Sequence, residues 1–282
     1  MSIKDLLDIT TSIFKFAYRQ RNPVRQQASR VLRVFEAHDI SRTQINRVIP
    51  HHLRLPALKW TNPDELKGEL TQEHLDWIQE FFALEPAWLD GLADEANLEI
   101  SSYKDPKHLH DWLLANKTRD GGLTFRLYFV SSLDGPFDEA SEGDFAVILE
   151  QLVDVDEYES LSRFYHLTPG AHFTHSPCVL HLAQVLAIAY YHGAMMCRLR
   201  LKPRDVYQLS HNRGLIAEWI AIAKPHHLEA DHELWEHYSG SPPTFTALRR
   251  EAEQSLIDAG MAGLVSSIRD DRDRFMRRGS IG

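Results

Sequence analysis

The chain has 282 residues, 43% apolar and 25% charged, enough to bury two cores without disulfide or metal staples. Cys178 and Cys197 are the only cysteines, which excludes a disulfide framework of the small secreted kind. The longest apolar run, about 179–191, is interrupted by His181 and Gln184 and falls short of the ~18–20 residues of a membrane span. The start MSIKDLLDIT has none of the features of a signal peptide, so the cytoplasm is the expected compartment. The net charge of −9 is unevenly spread: residues 1–60 hold eleven Lys and Arg against four Asp and Glu, and the remainder twenty against thirty-six. A basic end of this kind points to a polyanionic partner.

Residues 1–95 read as an all-helical domain. Ile3, Leu6, Leu7, Ile13, Phe14 and Ala17 recur at helical spacing up to a break at Pro23. The spacing of Ala28, Val31, Leu32 and Phe35 predicts a helix over 24–37. Ser41 stands as the cap of a third helix, 42–49, that turns Ile45, Val48 and Ile49 inward and ends against Pro50. A packed connection, 50–60, leads to Asn62-Pro63-Asp64-Glu65 and to Thr71, both helix starts. Leu75, Ile78, Phe81 and Phe82 form the buried stripe of the helix that Thr71 opens, and Glu85-Pro86 starts a short last one.

Beyond Ala93 strand patterns enter, predicting an α+β domain over 96–240. Leu123, Phe125, Leu127 and Phe129 alternate as in a half-buried strand. Apolar runs follow at 145–153 and 161–167. Ser176-Pro177 opens a helix, apolar nearly all round, that runs to about His192 and Gly193. A strand over 196–201 and helices at 204–209 and 214–223 complete the domain. A single amphipathic helix over about 245–275 is expected in the tail, 241–282.

The segment from Phe35 to Val48 resembles a helix-turn-helix. Ile40, Ile45 and Val48 match the buried positions of the turn and second helix, and Asp39 stands where the turn has its glycine. The segment LTQEHLDWIQEFFALEPAWLDGLAD resembles the closing helices of the lambda-repressor/Cro-like family. The resemblance implies a transcriptional regulator that binds double-stranded DNA as a homodimer on paired half-sites. Arg42, Thr43, Gln44, Asn46 and Arg47 would face the major groove, where Arg pairs with guanine and Asn or Gln with adenine. Arg25, Arg54 and Lys59, with Arg19, Arg21, Arg30 and Arg33, are candidates for phosphate contact.

In the larger domain, His172, His175, Cys178 and His181 are spaced by threes, with His166 nearby. Imidazole and thiolate suit zinc. Only Cys178 and His181 would share a helical turn, so no metal is expected, and Cys178 reads as a small buried residue rather than a reactive thiol. No phosphate-binding glycine loop, Gly-x-Ser-x-Gly elbow or His-Glu-x-x-His occurs, and the reading is not an enzyme. The larger domain compares, at fold level only, with sensor modules of the PAS and GAF classes. Trp112, Tyr128, Phe164, Tyr165, Tyr190, Tyr191 and Trp219 could line a pocket for a small-molecule ligand, or form core. Two other readings remain: an adaptor whose basic end binds an acidic protein, and a metal- or thiol-dependent enzyme.

Overall fold

A computed structural model describes residues 22–118, 123–135, 141–154, 160–226 and 243–279. The helix expected within 1–21, with Arg19 and Arg21, lies outside the described residues. The chain is α+β and divides into two compact units, Met1–Ala96 and Asn97–Gly282.

The first unit is helical. Helix α1, Pro23–Ala37, starts at Asn22, whose side chain accepts the Arg25 N–H at 3.0 Å, with proline in the first turn. It buries Ala28, Val31, Leu32, Val34 and Phe35. The expected helix over 42–49 is shorter than its pattern: α2 is the single turn Ile45–Val48. Ser41 does not cap it. Instead the Ser41 hydroxyl donates to Gln44 Oε1 at 2.6 Å, holding 41–44 in a turn ahead of the helix. Ile49 then leaves in extended geometry (φ −69°, ψ 137°), as a residue before proline must. Ile40, Ile45 and Ile49 are buried, whereas Val48 is half-exposed.

Two 3₁₀ turns, His51–Leu53 and Ala57–Trp60, fill the connection. Helix α3, Pro63–Leu66, is capped by Asn62, and α4, Gln72–Phe82, by a Thr71–His74 capping box. Helix α5, Pro86–Asp90, ends at Gly91 (φ 82°). There an added Cβ would meet the Arg30 guanidinium at 2.5 Å. The core is Phe35 edge-on to Trp60 and Phe82, at centroid distances of 5.9 and 5.3 Å.

The second unit opens with α6, Pro106–Asn116, a helix that the patterning reading missed although Asp105-Pro106 caps it. Strands β1 (Phe125–Ser131), β2 (Phe145–Asp154) and β3 (Ser160–His166) form an antiparallel meander. Helix α7, Ser176–Tyr191, carries the chain over to β4, Met195–Arg200, which pairs parallel with β1. Helices α8 (Pro203–Ser210) and α9 (Ile216–Ile222) precede the short edge strand β5, Lys224–Pro225. The sheet order is β3-β2-β1-β4-β5.

The register sets Phe125, Leu127, Phe129, Leu149 and Tyr165 on one face, and Tyr128, Ile148, Glu150, Phe164 and His166 on the other. Trp112 of α6 packs on Phe125 and Tyr165, and His166 bonds Leu209 O of α8 at 2.9 Å. The expected aromatic pocket therefore does not form as one site: Tyr128 and Phe164 are on the opposite face from Tyr165 and Trp112.

The single C-terminal helix expected over 245–275 is instead two, α10 (Pro243–Asp258) and α11 (Ala262–Gly279), broken at Gly260 with φ 84°. Both pack on α7, so this segment belongs to the second unit's core rather than forming a separate tail. Among the described residues, no helix is long and apolar enough to cross a membrane.

Candidate nucleic-acid interface

The end of α1 is a Schellman turn. Ile40 N–H returns to Phe35 O at 2.9 Å and Asp39 N–H to Glu36 O at 3.1 Å, with Asp39 left-handed at φ 58°. Ile40 and Phe35, which close the motif, are both buried. His38 Nδ1–H donates to Val34 O at 2.8 Å, satisfying another carbonyl at the helix end. This turn directs the chain into α2.

The expected groove-reading side chains divide into two sets. Arg42 is tied back: Nε is 2.7 Å from Glu36 Oε1, and Nη1 donates to Thr61 O. Asn46 is more deeply committed. Its Nδ2 donates to Leu55 O at 2.7 Å, and its Oδ1 accepts the indole N–H of fully buried Trp60 at 3.0 Å. Gln44 Oε1 accepts from Ser41 N–H and hydroxyl, and Thr43 Oγ1 is 3.1 Å from Ser41 Oγ. Arg47 is exposed and makes no hydrogen bond or ion pair among the described residues.

The phosphate-contact candidates are similarly occupied. Arg25 Nε is 3.1 Å from Asp64 Oδ1, and Lys67 joins the same carboxylate at 3.0 Å. These hydrogen bonds, from Lys67 and then Arg25, hold Asp64 below the usual carboxylate range. Lys59 lies 3.0 Å from Glu69 and 3.7 Å from Glu65, and the Glu69 hydrogen bond raises its pKa. Arg54 Nε donates to Ile49 O at 3.3 Å. The acids 64–69 thus neutralise part of the basic surplus of residues 1–60 within one unit. Across residues 22–96 the balance is eight Lys and Arg against twelve Asp and Glu, or −4. Asp64 and Glu65 are legible in the sequence as helix-start residues; that they and Glu69 face Arg25 and Lys59 is not.

In the second unit the histidine–cysteine group does not converge. His172 Nδ1 bonds the Thr174 hydroxyl at 2.8 Å, His175 Nε2 lies 3.1 Å from Tyr103 Oη, and buried His181 pairs with Ser102 Oγ at 3.0 Å. Cys178, also buried, contacts Tyr103 Oη at 4.0 Å. No group of three potential metal-ligating side chains occurs among the described residues. Elsewhere, buried Glu150 binds Arg126 at 3.2 Å and Tyr128 Oη at 2.6 Å, and also accepts from Ser162. Desolvation and this carboxylate push the Tyr128 phenol up. A cleft of about 440 Å³ beside β4 is lined by Ser132, Asp134, Arg200, Lys202, Asp205 and Lys224, among others.

Compared with known protein families, with curated proteins and with solved structures, the chain matches none.

Proposed function

We propose that this chain is a cytoplasmic, DNA-binding transcriptional regulator, with the helical unit as its nucleic-acid module. The observation that carries the reading is the Schellman turn at Asp39, which directs α1 into the one-turn helix α2, with Arg47 exposed on that helix and Thr43 exposed in the turn before it. An α-helix that meets the chain at such a turn is how helix-turn-helix proteins enter the major groove. Arg47 is the base-reading residue, Thr43 assists it, and Arg54 is a phosphate contact. Asn46 and Arg42 act instead by holding α2 in place. One short helix offers few base contacts, so a homodimer on paired half-sites supplies the rest. The α+β unit receives the signal, and the cleft beside β4 takes a small polar ligand.

A second reading has its own support. The net charge of −4 over residues 22–96, with Leu58 and Leu92 exposed by 69% and 83%, favours a protein partner over a polyanion. The salt dependence of DNA affinity separates the two. Each phosphate contact adds about −0.9 to the slope of log K against log salt, so two to four contacts would set a slope of about −2 to −4 per protomer. Arg47→Ala should weaken specific duplex binding by about 1–3 kcal/mol with unchanged stability. If neither specific nor salt-dependent duplex binding occurs, the DNA reading fails and the adaptor reading stands.

A further inference from the structure

Between α10 and α11 two guanidinium groups share one carboxylate, and a third lies one turn away. Glu253 of α10 is buried, 3% exposed. Arg269 of α11 donates from Nε and Nη2 to its Oε2, at 2.8 and 2.5 Å, and Arg272 donates from Nη1 to its Oε1 at 3.1 Å. Both carboxylate oxygens are therefore used. One turn before Glu253 on the same helix lies Arg249, which is only 8% exposed. It makes no hydrogen bond or ion pair among the described residues, although its charge is felt by Glu253 and Arg272. The Nε of Arg272 is buried without an acceptor.

Such a site is unbalanced as it stands. Arg249, Arg269 and Arg272 against Glu253 leave a charge of +2. Helix α7, on which both helices pack, contains no Asp or Glu to offset it. Arg250 and Glu251, the charged residues next to Arg249, are exposed and cancel one another. Arg272 Nε is the buried donor of this cluster without an acceptor, and an orphaned buried donor calls for a missing partner. Burial and the neighbouring Arg272 depress the Arg249 pKa, against an opposing pull from Glu253.

We propose that Arg249, Arg269 and Arg272 form a binding site for a phosphoryl dianion, either free phosphate or the phosphate of a small monoester. Guanidinium forks match phosphate oxygens in geometry. A phosphomonoester carries about −1.5 to −2 at neutral pH, which balances the +2 of the cluster. Glu253 holds Arg269 and Arg272 in place, and Arg249 supplies free donors from the facing helix. The site is independent of the DNA reading, because it lies wholly within the second unit and takes a dianion rather than a duplex.

The test uses the full chain and inorganic phosphate as the probe. Phosphate should raise the melting midpoint by about 5 °C once it is about a hundredfold above its Kd, whereas chloride at equal ionic strength should not. Arg249→Met should abolish the increment while leaving the midpoint in chloride unchanged or higher, since it removes an unpaired buried charge. Titration calorimetry of the wild type with phosphate needs no variant and should show saturable binding. Phosphoserine competing more tightly than phosphate identifies an ester as the natural ligand; phosphate binding alone identifies the free ion. Equal midpoints in phosphate and chloride with no binding heat, or an increment that survives Arg249→Met, would overturn the proposal.

Discussion

Removing the Asn46 side chain should loosen the segment between α2 and α3 before it alters any contact with DNA. Asn46→Ala deletes the bond to Leu55 O at 2.7 Å and leaves the Trp60 indole N–H, held at 3.0 Å, without its acceptor. A neutral hydrogen bond contributes about 0.5–1.5 kcal/mol net, and a buried donor left unpaired costs about 1–3 kcal/mol. Trp60 is fully buried, so its N–H has no water to turn to. The expected loss is about 2–3 kcal/mol, or about 30- to 150-fold in the local folding equilibrium.

Hydrogen exchange on the full chain reads this directly. Amides of 45–60 should lose protection by that factor, while those of the second unit keep theirs. In a Trp60→Phe background no indole donor remains to be orphaned, so Asn46→Ala should then cost about 1 kcal/mol less or better. Unchanged protection over 45–60 together with lost DNA affinity would refute this reasoning and return Asn46 to the groove.

Two further outcomes follow from the backbone and from buried imidazoles. Asp39→Gly should stabilise the first unit by about 0.5–1 kcal/mol in denaturant titration, because glycine adopts the φ of 58° without the Cβ cost that aspartate bears; a loss of stability would mean that the carboxylate has a role at the helix end. His166, His181 and His192 are held neutral with pKa values near 4, chiefly because burial disfavours the charged ring. Their unfolded value is about 6.5, so between these values the unfolded chain binds more protons and stability falls as pH drops. The decline is at most about 1.4 kcal/mol per pH unit for each histidine. His181→Gln should remove about a third of that slope, and a melting profile flat from pH 6.5 to 4.5 would show the rings to be solvated.

What the sequence determined by itself was local. Asn62-Pro63 and Thr71 mark helix starts because capping is settled within one turn of chain. Alternation along 123–129 marks a strand because side-chain direction there has a period of two, and 145–153 stands out only as an apolar run. Asp39, standing where the turn has its glycine, is the left-handed residue. The α+β class followed from those elements.

Tertiary structure decided where side chains are used. Arg42, Gln44 and Asn46 have the chemistry of groove-reading residues, yet Asn46 finds Trp60 fourteen residues on, and Arg25 finds Asp64 thirty-nine residues on. No periodicity encodes such a partner, because it depends on how the connection 50–62 folds back over α2. The surplus of +7 over residues 1–60 lost its force likewise, once α3 brought Asp64 and Glu65 beside that basic stretch. The strand order β3-β2-β1-β4-β5 was equally hidden, since the parallel β1–β4 pair depends on the crossover through α7. Short-range steric and capping preferences act through the neighbouring residues alone, whereas a hydrogen-bond or ion-pair partner is chosen only when distant segments are packed together.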